Sequence, residues 1–338
     1  MQRSSHLPER KRPWSATRTK APLWDRVSRE ARSQNLKEYF LLAEEIVAVL
    51  GRPWESSKRG RKPLYSPEKL AAMLIVKEAA NLSFERLHAE AEAMGYDART
   101  DQAKEKDGEV HGVPCPSQLH WAMTKIPEEY LQRALRLLDQ MVTQMYVELF
   151  GDENLKEYSV DSTEDTCTIL GEAQVAMRTV LQHQTVRYNI LTRLATNTVR
   201  AVDAPPSRNT RDARNLLEQV PPGSVVYMDR EYDVEYNYQH AHERGVTLIV
   251  RPKLYRGKPY KGRYRRQAQK DFDGEKYRRR KLVERPIGNR AARDGGTLKY
   301  RRPDMVRKGL ILKYIAHNIH VWFRQRAWGN TFRRIQTR

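Results

Sequence analysis

The chain has little of what marks secreted, membrane-spanning or disulfide-stabilised proteins. Its 338 residues include only two cysteines, Cys115 and Cys167, which are too few for a disulfide framework or a four-cysteine zinc site. No apolar run approaches the roughly 20 residues of a membrane-spanning helix. The first residues, MQRSSHLPERKRPWSATRTK, lack the apolar stretch of a secretory signal. We therefore expect a cytoplasmic protein that does not contact a membrane.

Acidic residues are also scarce relative to basic ones. The chain carries 62 Lys and Arg against 42 Asp and Glu, a formal net charge of +20, which favours polyanionic partners such as nucleic acid. Residues 251–302 alone hold 20 basic and five acidic residues. Within them, YRGKPYKGRYRRQ interleaves tyrosine with lysine and arginine, a composition suited to phosphate contacts and base stacking. A charge run of this kind is also typical of a solvated surface.

The pattern divides the chain into three regions. Residues 1–34 form a basic, polar arm that we expect to be largely disordered. Residues 35–150 predict helices, with Ser66 and Ser83 as N-caps and Pro67 at a first helical position. A longer amphipathic helix is predicted to begin at Pro127, with apolar residues at three- and four-residue steps.

From residue 151 the pattern changes to strands followed by alternating helices and strands. The segments YSV, YNILTRLA, TNTVRAV, SVVYMD and VTLIV predict strands, while TRDARNLLEQV and DVEYNYQHAHERG predict helices. Strands followed by helix–strand alternation indicate a mixed α/β layer structure.

Two acids follow predicted strands of this layer. Asp161 ends the first strand and Asp229 follows SVVYM, and ligands collect at the carboxyl ends of strands in open α/β sheets. Taken singly, an Asp after a strand is more often a turn or helix cap. The neighbours Glu164 and Asp165 are interpreted as loop acids.

A third acid lies in the basic segment. Tyr277, Arg280 and Glu284 are spaced by three and then four residues, so in one helix they would share a face. Glu284 could equally be an ion-paired residue on a basic helix, and Glu275 is the next candidate for the third acid. Three converging carboxylates would repel each other without cations between them. Hard oxygen ligands of this kind suit Mg²⁺, and a pair of such ions can catalyse in-line phosphoryl displacement.

The blocks SVDST, VVYMDREYD and YRRRKLVER resemble the three catalytic blocks of insertion-sequence transposases of the DDE type. Their order and their separations of 68 and 55 residues are more specific than any single block. RGRKPLYSPEKLAAMLIVKEAANLSFERL is similar to the N-terminal helical region of that family, and LILKYIAHNIHVWFR to its closing helix. The resemblance covers roughly residues 60–325.

This resemblance implies a fold and a domain order. The fold class is α/β, a ribonuclease H-like mixed sheet flanked by helices and preceded by an all-α N-terminal domain. Residues 35–150 would be a helical DNA-binding and dimerisation region. Residues 151–330 would be the catalytic domain, with its basic segment at 251–302.

The resemblance also implies the site. Asp161, Asp229 and Glu284 would be the catalytic, metal-binding triad, holding two Mg²⁺ ions for which Mn²⁺ can substitute. Tyr277 and Arg280 would contact DNA phosphate. The other candidate DNA contacts are the basic residues Arg279, Lys281, Arg285, Arg290, Arg263, Arg265 and Arg266.

The implied activity is metal-dependent cleavage at the ends of an insertion element, followed by transfer of the 3′-OH into target DNA. The implied partners are double-stranded DNA, as terminal inverted repeats and as target, and a second copy of the chain in the DNA complex. The protein would then be cytoplasmic and nucleoid-associated in a prokaryote. Two departures from the family pattern are Pro286, close after the third acid, and Ala291, where the family often has a lysine. They leave open a non-cutting DNA-binding protein derived from a transposase; a related metal-dependent nuclease without strand transfer is the other alternative.

Overall fold

The computed structural model describes most of the chain. The described residues are 35–55, 63–105, 111–152, 154–175, 178–204, 211–253, 262–294, 297–298, 300 and 302–336. The predicted arm at 1–34 and the stretch 254–261 of the basic segment lie outside them. None of the described helices is long and apolar enough to cross a membrane.

The first part of the described chain is helical, as predicted. Its helices are α1 (Leu36–Leu50), α2 (Pro67–Ala79), α3 (Phe84–Ala93), α4 (Asp101–Lys104), α5 (Pro116–Lys125) and α6 (Glu128–Phe150). Ser66 and Ser83 cap α2 and α3 by accepting hydrogen bonds from backbone N–H groups three residues ahead. Pro67 occupies the first turn of α2, where its missing N–H costs nothing. These caps confirm the starts predicted for the two helices.

Six strands form one mixed sheet. They are β1 (Glu157–Val175), β2 (Arg178–Arg193), β3 (Thr198–Asp203), β4 (Val225–Met228), β5 (Thr247–Val250) and β6 (Thr297–Leu298). The order is β3-β2-β1-β4-β5, and β6 pairs with β1. β1, β2 and β3 are antiparallel, whereas β4 and β5 run parallel to β1. This is the ribonuclease H-like α/β sheet that the resemblance implies.

The first strand is longer than predicted. Asp161 was expected to end it, but β1 continues to Val175 because it pairs antiparallel with β2 beyond that point. Only the pairing of β1 with β4 stops at Val160. Glu164 and Asp165 therefore lie in a strand and not in a loop. Acidic residues predict turns locally, but a partner strand with threonines beside them overrides that preference.

Helices cover both faces of the sheet. The remaining helices are α7 (Arg214–Leu217), α8 (Glu235–Glu243), α9 (Arg263–Lys270), α10 (Gly274–Tyr277), α11 (Glu284–Asp294) and α12 (Pro303–Gln336), with 3-10 turns at Arg230–Tyr232 and Arg278–Val283. One hydrophobic core joins α1, α2, α5, α6 and α12 to one face of the sheet. A second core joins α7 and α8 to the other face. The early helices thus share a core with the sheet.

Buried polar contacts fix α6 and α12 against the sheet. Asp139 of α6, fully buried, accepts hydrogen bonds from Arg193, Thr198 and Arg200 of β2 and β3. Asn318 of α12 accepts a hydrogen bond from a backbone N–H of β3 at 2.9 Å and donates to the carbonyl of the same residue at 2.7 Å. Both helices are therefore locked to the edge of the sheet by hydrogen bonds as well as by apolar packing.

Candidate active site

The sheet brings two of the three predicted acids side by side. The parallel register of β1 and β4 pairs Val160 with Met228, so Asp161 and Asp229 are the next residues along neighbouring strands. Asp161 Oδ1 accepts a hydrogen bond from the backbone N–H of Ser162 at 3.0 Å. Asp229 caps the 3-10 turn that follows β4. Although residue 161 lies inside its strand, the predicted neighbourhood of the two acids is present.

The two carboxylates influence each other electrostatically. Burial raises the pKa of Asp161, the positive charge of Arg280 lowers it, and the negative charge of Asp229 raises it further, with a net rise above the ordinary value. Behind them, Tyr232 is buried and donates to Asn189 at 2.8 Å. Burial, with Asp161 adding to it, holds the pKa of Tyr232 well above its usual value. Tyr232 therefore keeps its proton and its hydrogen bond to Asn189.

The third predicted acid, Glu284, is linked to Asp161 by an arginine that contacts both carboxylates. Arg280 Nη1 lies 3.1 Å from Asp161 Oδ2, and its Nη2 lies 3.7 Å from Glu284 Oε1. Asp229 also acts on this guanidinium, because its charge helps to raise the pKa of Arg280 against the lowering effect of burial. Two of the acids are therefore paired with Arg280, and the third acts on it through its charge.

The segment that carries Arg280 is not the single helix expected. Tyr277 ends α10, Arg280 lies in the 3-10 turn, and Glu284 begins α11. Arg280 and Glu284 still meet at the predicted four-residue spacing. Pro286 falls in the first turn of α11. Backbone N–H groups of the first turn have no acceptor within the helix, so the N–H that proline lacks costs no hydrogen bond there. The helix boundary therefore explains how Pro286 is accommodated.

The three carboxylates suit a hard cation, and the guanidinium of Arg280 lies beside two of them. Asp161, Asp229 and Glu284 offer carboxylate oxygens, the ligand type that Mg²⁺ takes in proteins, and they already attract one positive group. Within the described ranges, no group of three or more His, Cys, Asp or Glu side chains is close enough together to hold a metal ion. The side chain of Glu284 is 63% exposed, against 17% for Asp161. The carboxylates fit the ion by chemistry, and in this structure Arg280 is paired with two of them, Asp161 and Glu284.

Besides Arg280, two of the predicted DNA contacts are engaged in ion pairs with the protein. Arg265 donates to both oxygens of the buried Asp233, at 2.7 and 2.6 Å. Arg279 lies 2.9 Å from Glu157, at the start of β1. These two guanidinium groups anchor α9 and the 3-10 turn to the sheet domain.

The other predicted contacts are disposed differently. Tyr277 is partly buried, and its ring lies 5.5 Å from that of Phe272. Arg290 belongs to α11. The predicted contacts Lys281, Arg285, Arg263 and Arg266 are exposed. Glu275, the alternative third acid, is exposed in α10, and no ion pair with Arg280 is described for it.

Sequence reasoning missed two buried polar residues on the elements that carry Asp161 and Asp229. Asp165, interpreted as a loop acid, is buried, with Tyr188 donating to it at 3.3 Å and Lys313 3.8 Å away. Tyr232 was not singled out either. Its position three residues after Asp229 in a tight turn is the only local signal, because the partners of both residues come from distant parts of the chain.

Residues 158–319 match the family model described as the transposase DDE domain. No curated protein matches the chain. The matched segment begins at the second residue of β1 and ends within α12, so it includes Asp161, Asp229, Arg280 and Glu284. Over these residues the chain is similar to the transposase DDE domain, and this match supports a transposase of the DDE type.

Proposed function

We propose that the chain cuts DNA at the ends of an insertion element and joins the released 3′-OH to target DNA. The proposed catalytic residues are Asp161, Asp229 and Glu284. The observation that carries this proposal is the strand register, which aligns Asp161 with Asp229 beside a basic segment that contains Glu284. Each phosphodiester of DNA carries a negative charge, so acids at the reaction centre need compensating cations.

The three carboxylates would hold divalent cations, Mg²⁺ or Mn²⁺. When bound, these ions would polarise the scissile phosphate and stabilise the attacking and leaving oxygens. The chain's own contribution is to set the carboxylates on a rigid sheet edge and on the first residue of α11. Positioning of this kind accounts for a large part of catalysis in phosphoryl transfer.

Arg280 would change partner as the substrate arrives. Its guanidinium is paired with Asp161 and Glu284, and guanidinium groups bind phosphate in the same forked manner as carboxylate. A DNA phosphate would therefore draw Arg280 away from the acids and leave their oxygens free for cations. Tyr277, Lys281 and Arg285 would line the approach of the DNA.

Recognition of the ends would belong to the helical region 35–150. Joining two ends in one complex requires two active sites, so a homodimer on DNA is the expected assembly. The substrate is then double-stranded DNA, both as terminal inverted repeats and as target, in the cytoplasm and at the nucleoid.

The test is metal-dependent nicking of supercoiled plasmid by the full chain. Wild type and Asp229→Asn are compared in Mg²⁺ and in Mn²⁺. Glu231→Gln is the matched control, because Glu231 is an exposed acid two residues away. We expect nicking by wild type and by the control, and at least a ~100-fold loss in Asp229→Asn, since several kcal/mol of transition-state stabilisation would disappear.

Each alternative gives another pattern. Equal nicking by wild type and Asp229→Asn would reject the assignment of Asp229. Retention of plasmid in a gel shift without nicking by any protein would favour the non-cutting DNA-binding protein. Nicking without any joined product, when a 3′-OH end and a target are both supplied, would favour a nuclease without strand transfer.

A further inference from the structure

A cleft of about 560 Å³ lies on another side of the molecule, between the end of α1, the side of α6 and the loop before β4. Four arginines line it: Arg133, Arg136, Arg200 and Arg244. Glu218 is the single acidic residue among the described residues of its wall. The described wall therefore carries more positive than negative side chains.

Arg136 is the least compensated of the four. Its side chain is partly buried, and no ion pair is described for it in the residues that the structure covers. Burial lowers the pKa of Arg136, and the neighbouring charges of Arg200 and Arg133 lower it further. An arginine nevertheless keeps its proton. This cation is therefore both partly removed from water and repelled by the neighbouring arginines. A charge in such a place costs stability unless an anion joins it.

The other arginines are held in place by the protein. Arg200 donates to Asp139 at 2.8 Å and to the carbonyl of Gln219 at 2.6 Å. Arg244 pairs with Glu218 at 3.0 Å, and its Nε is buried without a hydrogen-bond partner among the described residues. Each guanidinium has five N–H donors. The cleft thus presents fixed donors whose hydrogen-bonding capacity is only partly used.

Its position separates it from the three catalytic acids. The cleft includes Pro221 and Pro222, which precede β4, whereas Asp229 follows the other end of that strand. The four residues of β4 alone span about 13 Å at ~3.3 Å per residue. A phosphate at the acids therefore cannot be the one that reaches Arg136.

We propose that this arginine cleft, formed by Arg133, Arg136, Arg200 and Arg244, binds backbone phosphate of a second stretch of DNA. No aromatic ring lines the described wall, so the cleft offers no surface on which a base could stack. Its donors are guanidinium groups, which suit phosphodiester oxygens independently of sequence. This site is additional to the reaction at the acids and does not depend on it.

The test measures the salt dependence of DNA binding by the full chain. The probe is a linear duplex of arbitrary sequence, and the variants are Arg136→Gln and Arg133→Gln/Arg136→Gln. We expect the slope of log K against log salt to fall by about 0.9 for the single variant and about 1.8 for the double variant. At ~0.1 M salt the single change should weaken binding by roughly 5- to 10-fold.

The matched control is Arg86→Gln. Arg86 is an exposed arginine already paired with Glu90 at 3.6 Å in α3, so the control removes the same charge from another surface. We expect its slope to equal that of wild type. A slope that falls equally in Arg86→Gln and Arg136→Gln would reduce the effect to net charge and overturn the proposal.

Folding provides an independent check. Because Arg136 is unpaired and crowded by like charges, Arg136→Gln should leave the Tm equal to or above that of wild type. An unchanged slope with a lower Tm would make Arg136 a structural residue, and an unchanged slope with an unchanged Tm would also reject the site.

If inorganic phosphate raised the Tm of wild type and not of Arg136→Gln while DNA binding stayed equal, the cleft would be a small-anion site. None of these readouts requires nicking, so this proposal and the proposed function fail separately.

Discussion

Arg280 donates a hydrogen bond of 3.1 Å to Asp161, a residue 119 positions earlier in the chain. The same guanidinium reaches Glu284 at 3.7 Å. Its positive charge lowers the pKa of Asp161, against the effects of burial and of the charge of Asp229 at the end of the adjacent strand. A residue implied by resemblance to contact DNA is thus paired with two of the candidate catalytic acids.

The first prediction concerns competition between Arg280 and Mg²⁺. In EDTA, Arg280→Gln should lower the free energy of unfolding by about 1–3 kcal/mol, because a largely buried carboxylate loses its charged partner. Excess Mg²⁺ should reduce this deficit, since the acids could then hold the ion without displacing a guanidinium. The measurement is the Tm of wild type and variant in EDTA and in Mg²⁺.

The control for this experiment is Arg187→Gln, which removes an exposed arginine paired with Glu164 at 3.4 Å. Exposed pairs of this kind contribute about 0–1 kcal/mol, and Mg²⁺ should not change the effect. An identical Mg²⁺-induced rise in Tm for wild type and Arg280→Gln would show that the two cations do not compete.

The second prediction separates the two candidates for the third acid. Glu284→Gln should lower the rate of plasmid nicking by at least ~100-fold, because it removes one of the carboxylates that contact Arg280. Glu275→Gln makes the same chemical change nine residues earlier, at an exposed position of α10, and should nick at the wild-type rate. Gel shifts of both variants should match wild type. The reverse pattern would assign the third acid to Glu275.

The third prediction concerns the buried carboxylate of Asp139. Burial by itself would raise its pKa, but hydrogen bonds and charges from Arg193, with Thr198 and Arg200, hold the pKa below its ordinary value. Asp139→Asn leaves Arg193 buried without its counter-charge and should cost about 3–5 kcal/mol at neutral pH. Urea unfolding of wild type and variant measures this difference.

The pH dependence of that difference has a defined sign. Because the folded-state pKa of Asp139 is depressed, its contribution is complete above the unfolded-state pKa of about 3.9. It should be lost as the pH falls from that value through the folded-state pKa. The difference in free energy of unfolding between wild type and Asp139→Asn should therefore become smaller below about pH 4. The exposed Asp101, paired with Lys104 on α4, supplies the control: Asp101→Asn should change stability by about 0.5 kcal/mol or less at any pH.

The fourth prediction tests the contact between α12 and the sheet. Asn318→Ala removes both hydrogen bonds to the backbone of Val199 and leaves a buried donor and acceptor unsatisfied. Each unmade bond costs about 1–3 kcal/mol, so we expect a loss of about 2–5 kcal/mol in free energy of unfolding. Amide exchange of Val199 should accelerate more than that of strands β4 and β5. A uniform change across the sheet would contradict a local role for Asn318.

The features that could be predicted from the sequence are those set by neighbouring residues. The caps Ser66 and Ser83 follow from hydrogen bonds that span three residues, and the apolar face of α6 follows from helical periodicity. The neighbourhood of Asp161 and Asp229 was also foreseeable, because both acids were predicted to follow strands of the same α/β layer, where ligands collect at the carboxyl ends of strands. The pairing of Arg280 with Glu284 needs only a four-residue spacing.

Other features were decided by the tertiary structure alone, because they depend on residues that are far apart in the chain. β1 continues past Asp161 because β2 pairs with it, against the local turn preference of its acids. Arg265 is held by Asp233, so composition could not tell it from the exposed Arg266. The cleft around Arg136 joins α6 to a loop some 80 residues later. Local hydrogen bonds and periodicity are present in the sequence itself, whereas burial and charge compensation exist only after distant segments have packed together.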